Sequence, residues 1–329
     1  MFERILVPLD GSLLAECVLP HTIAVAAAYD AEVVLLHVVE GGDGLTVMPA
    51  DPLAWQMRKA EAKANLEMVR RRLDEAGIRV SAIIQEGMAA RRIANYAEAR
   101  NCDLLILSSH GRSGLEPWSA GSVAKKVMES AKTSLMLVRA FQEPRIEPAA
   151  YRRIMLPLDG SQRAEAALPP AITLARHWDA ELLLVHTVTR PPRLRHTLSS
   201  VEGLALANQL VKHNLAEAGD YLSQLRARLP VRSRVHLCAG DKVTTVLQEV
   251  AEHEKVDLVL ASAHGHGSNH HQRFGSVMTE TITYGAAPLL IVQDMQPEQI
   301  VATVAESLVR KSNDSTRWRP PQAVSWRAV

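Results

Sequence analysis

At 329 residues the chain is too long for one typical α/β core and suits two domains. Hydrophobic residues make up 47% and aromatic residues 4%, which predicts cores of Ala, Leu and Val; a formal net charge of +1 argues against a general attraction to nucleic acid or anionic membrane. Three widely spaced cysteines, Cys17, Cys102 and Cys238, predict reduced structural thiols, and no apolar run approaches a membrane span, so a soluble, cytoplasmic protein is expected.

The N-terminal residues, MFERILVPLDGS, run straight into a strand with no basic leader or cleavage site. Residues Arg4–Leu9 read as that strand, closed by Asp10-Gly11-Ser12, and Leu13–Tyr29 as an Ala-rich helix. Glu32–Val39 is a second buried strand, followed by a Gly- and Pro-rich loop over Glu40–Pro52. Ala54–Ala76 is a long charged helix stopped by Gly77. Arg79–Gln85, Asp103–Leu107 and Ser134–Arg139 read as strands, with helices over Met88–Arg100 and Ser122–Ala131 between them. Strands alternating with helices predict a parallel sheet covered on both faces.

The same order then recurs. RRIMLPLDGS (Arg152–Ser161) repeats ERILVPLDGS (Glu3–Ser12), and DAELLLVH (Asp179–His186) repeats DAEVVLLH (Asp30–His37). DLVLASAHG (Asp257–Gly265) repeats DLLILSSHG (Asp103–Gly111), and FGSVM (Phe274–Met278) answers AGSVA (Ala120–Ala124). A repeat this extensive marks a duplicated domain. The predicted division is a first domain over 1–141, a Pro-containing linker over 142–150, a second domain over 151–294 and a tail over 295–329. One helix is expected in the tail, over Glu298–Lys311, before a polar end suited to disorder or interaction.

The chemistry concentrates in Leu104–Val127. A buried strand, a glycine-punctuated loop and a helix start together form an anion cradle of backbone N–H groups and a helix dipole. Gly111 supplies backbone freedom, Gly121 allows close approach, and Ser122 offers a helix cap or a hydroxyl for a phosphate oxygen. Ligands of doubly wound sheets sit beyond the carboxyl ends of the strands, where Asp10, Val38, Ser108–Gly111 and Gly121-Ser122 converge. There a carboxylate suits ribose hydroxyls or Mg²⁺, and the backbone around Val38 suits a purine edge. Helix capping is the competing role for Asp10.

At this point both copies resemble universal stress protein (UspA-type) domains, and the chain is similar to tandem members of that family. The resemblance implies two tandem doubly wound parallel five-stranded sheets of the adenine nucleotide alpha hydrolase-like type, strand order 3-2-1-4-5. ATP-binding members carry Gly, two residues, Gly, nine residues, then Gly-Ser or Gly-Thr. In the first copy this pattern falls on Ser108, Gly111 and Gly121-Ser122, and in the second on Ser262, Gly265 and Gly275-Ser276. Both copies carry Ser in place of the family's first glycine, which keeps the turn if its φ stays negative. The implied nucleotide contacts are Pro8, Leu9, Asp10, Val38, Leu107, Ser108, Gly111, Arg112, Ser113, Gly121, Ser122 and Val123. The second copy's counterparts are Asp159, Thr187, Ser262, Gly265, Gly275 and Ser276. Because the first copy retains GRSGL while the second reads HGHGSNHHQRFG and has Thr187 at the Val38 position, the first is expected to be the better ATP site. The fifth strands are expected to pair about a pseudo-two-fold axis, making a dimer within the chain, with a homodimer as a further expectation.

Other readings are weaker. The histidines His264, His266, His270 and His271 lack the ordered frame of a zinc site, and a solvated loop is preferred. His37 and His186 read as hydrogen-bonded core residues, and Lys125 and Lys126 as solvated ones. No GxxxxGK[ST], no GxGxxG after the first strand, and no paired-histidine or SGGxDS motif occurs, and no nucleophile–base set forms around Asp10. The expectation is an ATP-binding stress-response module, with Mg²⁺ as accompanying ion and an unspecified protein partner, and not a turnover enzyme. Binding would order Arg112–Ala120 and shift a partner surface. The alternatives are a nucleotide-free scaffold and a weak ATPase or autophosphorylating protein.

Overall fold

A computed structural model describes residues 2–40, 52–110, 122–130, 132–140, 149–189, 201–266 and 273–294, apart from the side chains of residues 122, 201–204 and 206. The first half runs β1 (Arg4–Pro8), a 3-10 turn (Ala15–Val18), α1 (Leu19–Tyr29), β2 (Glu32–Val39), α2 (Pro52–Glu75), β3 (Val80–Glu86) and α3 (Ala89–Ala99). It closes with β4 (Leu104–Ser108), α4 (Ser122–Ser130) and β5 (Ser134–Val138). The second half repeats this order as β6 (Arg153–Pro157), α5 (Gln162–Glu165), α6 (Leu168–Trp178), β7 (Glu181–Thr189), α7 (Val201–Arg228) and β8 (Ser233–Gly240). It ends with α8 (Val243–His253), β9 (Leu258–Ser262), α9 (Ser276–Tyr284) and β10 (Leu289–Val292).

The strands form one ten-stranded sheet in the order β3-β2-β1-β4-β5-β10-β9-β6-β7-β8. Each half therefore has the order 3-2-1-4-5, but the two five-stranded units are one sheet and not two. The join is the antiparallel pair β5–β10, where Met136 lies opposite Leu290 and Leu135 opposite Ile291. Met136 and Leu290 occupy equivalent positions in the repeat, so a pseudo-two-fold axis passes between them.

The apolar runs are continuous because both faces are covered, and neighbouring residues go to opposite cores. Ile5, Val7, Val33 and Leu35 enter a core that spans both halves, while Leu6, Val34 and Leu36 enter one whose buried residues all come from the first, with Phe274 and Ile282 of the second half packed against it. Each half also pins its first strand with an aspartate. Asp103 accepts from the N–H groups of Glu3 and Arg4 at 2.8 and 2.9 Å, and Asp257 accepts from those of Arg152 and Arg153 at 2.7 and 2.8 Å.

The predicted helix over Leu13–Tyr29 is a correction. A 3-10 turn occupies Ala15–Val18, and the α-helix starts at Leu19, where Pro20 in the first turn needs no N–H partner. The DGS turn explains the displacement. Gly11 takes φ 80° and Gly160 φ 81°, a left-handed bend that suits glycine. Ser12 Oγ then accepts from Ala15 N at 3.2 Å, and Ser161 Oγ from Ala164 N at 3.1 Å.

Candidate functional site

The cleft of the first half lies beyond the carboxyl ends of β1, β2 and β4. It encloses about 390 Å³, and its walls include Pro8, Leu9, Asp10, Val38, Leu107, Ser108 and Val123. Gly111, Arg112, Ser113 and Gly121 lie outside the described residues, as does the side chain of Ser122, where α4 begins. The volume falls within the range of small-molecule sites.

Strand register decides what the cleft offers. β1 stops pairing with β2 at Pro8–Leu36, whereas β2 continues beside β3 to Val39. Leu36 O accepts from Leu9 N at 2.9 Å, so even-numbered residues of β2 aim their backbone groups towards β1. Val38 therefore directs its N–H and C=O past the end of β1 and into the cleft. Two strand spacings away, about 10 Å, β4 ends and the first turn of α4 contributes Val123 and Ala124. The cleft thus has a donor–acceptor pair of main-chain groups at one end and a positive helix terminus at the other.

Asp10 is oriented and is not the helix cap. Its Oδ1 accepts from Ser12 N at 2.9 Å and Ser12 Oγ at 2.6 Å, and Ser12 caps the following turn. Ser108 replaces a glycine without strain, since neither it nor Ser262 has a positive φ. Ser108 Oγ lies 3.1 Å from Leu14 O and accepts from Cys17 Sγ at 3.4 Å. Burial pushes the Cys17 thiol up to about 11, which keeps it protonated and unreactive.

Several cleft residues carried no motif. His37, expected to be a core residue, is buried and lines the cleft. Arg58, Glu61 and Ala62 from α2, and Ala89 and Ile93 from α3, complete the wall beside β2. The only sequence signal was Trp55, a large apolar residue inside a charged helix.

The second half brings Asp159, Thr187, Ser262 and Gly265 to the carboxyl ends of its strands, with their own contacts. Asp159 Oδ2 accepts from His266 N at 2.6 Å, and a Cβ on Gly265 would lie 2.1 Å from the same oxygen. A side chain at Gly265 would displace the Asp159 carboxylate from this contact. Arg163 and Asp294 form an ion pair at 2.7 Å with 8% and 4% side-chain exposure, and His264 Nδ1 lies 2.7 Å from Asp294 Oδ1. The repeat places Leu14 and Ala140 at the Arg163 and Asp294 positions of the first half. Thr187 Oγ1 and Ser262 Oγ are buried without a hydrogen-bond partner among the described residues. Gly275, in an extended conformation, is the residue that precedes α9, so Ser276 is its first helical residue and not its cap. His270 and His271 lie outside the described residues.

Comparison with known proteins follows the same duplication. The family model described as "Universal stress protein family" matches residues 1–139 and again 150–293. A universal stress protein of Methanocaldococcus jannaschii is 30% identical over 141 residues, which is 42% of this chain and 83% of that protein. A second from the same organism is 29% identical, covering 42% of this chain and 96% of that one. Among solved structures, a universal stress protein from Archaeoglobus fulgidus superposes with a TM-score of 0.62 at 20% identity, over 89% of this chain and 99% of that one. At that identity the likeness speaks for the fold. With both halves matched in sequence and the paired fold matched in three dimensions, the chain belongs to the universal stress protein family.

Proposed function

We propose that the first half binds an adenine nucleotide, ATP with Mg²⁺, and that the chain works as a nucleotide-responsive module and not as a turnover enzyme. The observation that carries this reading is the Val38 backbone pair aimed into a cleft whose far end is the first turn of α4. The spacing suits a nucleoside laid from β2 to β4, with the purine edge on Val38 and the phosphates on the helix terminus. Asp10, held by Ser12, is placed for ribose hydroxyls or a hydrated Mg²⁺. The bound group supplies charge and shape to a surface, and a partner of the module reads the change as a population shift.

The second half is the weaker site in this reading, because Thr187 stands at the Val38 position and HGHGSNHHQRFG replaces the GRSGL loop of the first copy. Its role is that of a nucleotide-free scaffold. Three free thiols, two of them buried, suit action in the cytoplasm.

The test is to denature the purified protein, identify any released nucleotide, and titrate the stripped chain with ATP and Mg²⁺. About one ATP per chain is expected. The variant Asp10→Asn, which keeps the turn but removes the charge, is expected to bind at least about tenfold more weakly. Two equivalents per chain would refute the unequal halves. No binding at millimolar ATP would leave a scaffold alone.

A further inference from the structure

The wall of the cleft beside β2 is built by residues that no nucleotide motif includes. Trp55 is 7% exposed and packs with Val39, Ala62 and Ile84, which fixes α2 against the end of β2. One turn later, the Arg58 guanidinium lies over the Trp55 ring, 5.4 Å from its centroid, and its Nη1 reaches Glu40 O at 3.5 Å. Glu40 in turn accepts from Ala89 N at 2.6 Å, at the start of α3. Trp55, Arg58 and Glu40 thus tie α2, β2 and α3 into one wall, and Arg58 is a cleft residue itself.

The Arg58 guanidinium lies near the Trp55 ring, is exposed and lines the cleft, and a planar guanidinium also stacks on flat aromatic groups. Arg58 and Val38 line the same cleft, and Arg58 reaches Glu40, two residues beyond Val38 in the chain. The phosphate end lies across β1, on β4 and α4. The long helix of the second half, α7, has no tryptophan, and its arginines stand only in its last turn, so α7 carries no counterpart of the Trp55–Arg58 pair.

Resting on the nucleotide reading above, we propose that Arg58 is a base-stacking residue: its guanidinium, backed by Trp55, lies on the purine and sets the cleft's preference for a flat aromatic base. It contributes to base affinity by planarity and not by charge on the phosphates.

The experiment measures ATP affinity by titration calorimetry for the intact protein and for Arg58→Ala and Arg58→Lys. Arg58 is exposed and alanine favours helix, so both variants are expected to fold, and a thermal melt checks this. Stacking of a base is lost in both variants, so each is expected to bind ATP roughly tenfold more weakly. If Lys restores wild-type affinity while Ala does not, Arg58 is a phosphate-directed charge and the proposal is overturned. If both variants match the wild type, it is overturned as well, with the nucleotide reading intact. If the wild-type protein itself takes no ATP, the nucleotide reading fails and this proposal with it.

Discussion

At the scale of single residues, the two halves diverge most where polar groups are buried. Arg163 and Asp294 sit almost fully inside the second half, where the first half has Leu14 and Ala140. A buried ion pair adds little net stability over apolar residues of similar size, yet removing one partner strands a charge. Asp294→Ala alone is therefore expected to destabilise the chain by about 3–5 kcal/mol. The double variant Arg163→Leu with Asp294→Ala, which restores the first half's pair, is expected to recover most of that loss. Urea unfolding of the three proteins decides it, and equal losses in the single and double variants would sink the argument. Neither Arg163 nor Asp294 stood out in the sequence, since each is an ordinary charged residue in its own segment. Only the fold brings together positions 131 residues apart.

At the scale of elements, β5 is the decisive strand. Its five residues are all buried, and its outer edge is paired with β10 on the other side of the pseudo-two-fold axis. Arg139, just past β5, reinforces the join by donating to Gly285 O at 2.9 Å and to Ile282 O at the carboxyl end of α9. A chain ending at Ala140 would expose SLMLV as an apolar edge, which proteins cover. Because Met136 and Leu290 are equivalent, the same geometry is available to two copies of the first half. Sedimentation of such a fragment is expected to show a dimer, and Met136→Lys a monomer; a monomeric fragment would contradict the pairing rule. The sequence foresaw the pairing of fifth strands through the resemblance. It did not foresee the 3-10 turn before α1, because helical periodicity does not report which residue first takes a full α-turn.

At the scale of the whole molecule, the halves also meet through α1 and α6. Tyr29 donates to Pro170 O at 2.8 Å, Trp178 to Ala24 O at 3.2 Å, and His21 Nδ1 lies 2.9 Å from the Tyr151 hydroxyl. Burial at this interface holds the His21 imidazole neutral, its pKa lowered from 6.5 to about 4. The unfolded chain takes up a proton at His21 below pH 6.5, while the folded chain does not until about pH 4. The stability tied to this group is therefore complete above pH 6.5 and is lost as the pH falls towards 4, by at most about 3 kcal/mol. Urea midpoints from pH 7.5 to 4 are expected to fall less steeply for His21→Gln than for the wild type. Parallel curves would show that the interface does not hold this proton out.

The sequence by itself determined the duplication, the α/β class and the strand ends where a ligand is expected, while the strand order within each half came through the family resemblance. The first three rest on local signals: apolar runs, the DGS turns, and glycines at fixed spacing, each repeated twice. Tertiary structure alone decided that the ten strands are one sheet, that Val38 points its backbone past the end of β1, and that α2 supplies Trp55 and Arg58 to the wall. It also decided that the second half buries an Arg163–Asp294 ion pair where the first half has Leu14 and Ala140. The physical reason is one of range. Strand and turn preferences act between neighbours in the chain, whereas a cleft's walls and a buried charge's partner are set by segments that meet only after the sheet has ordered them.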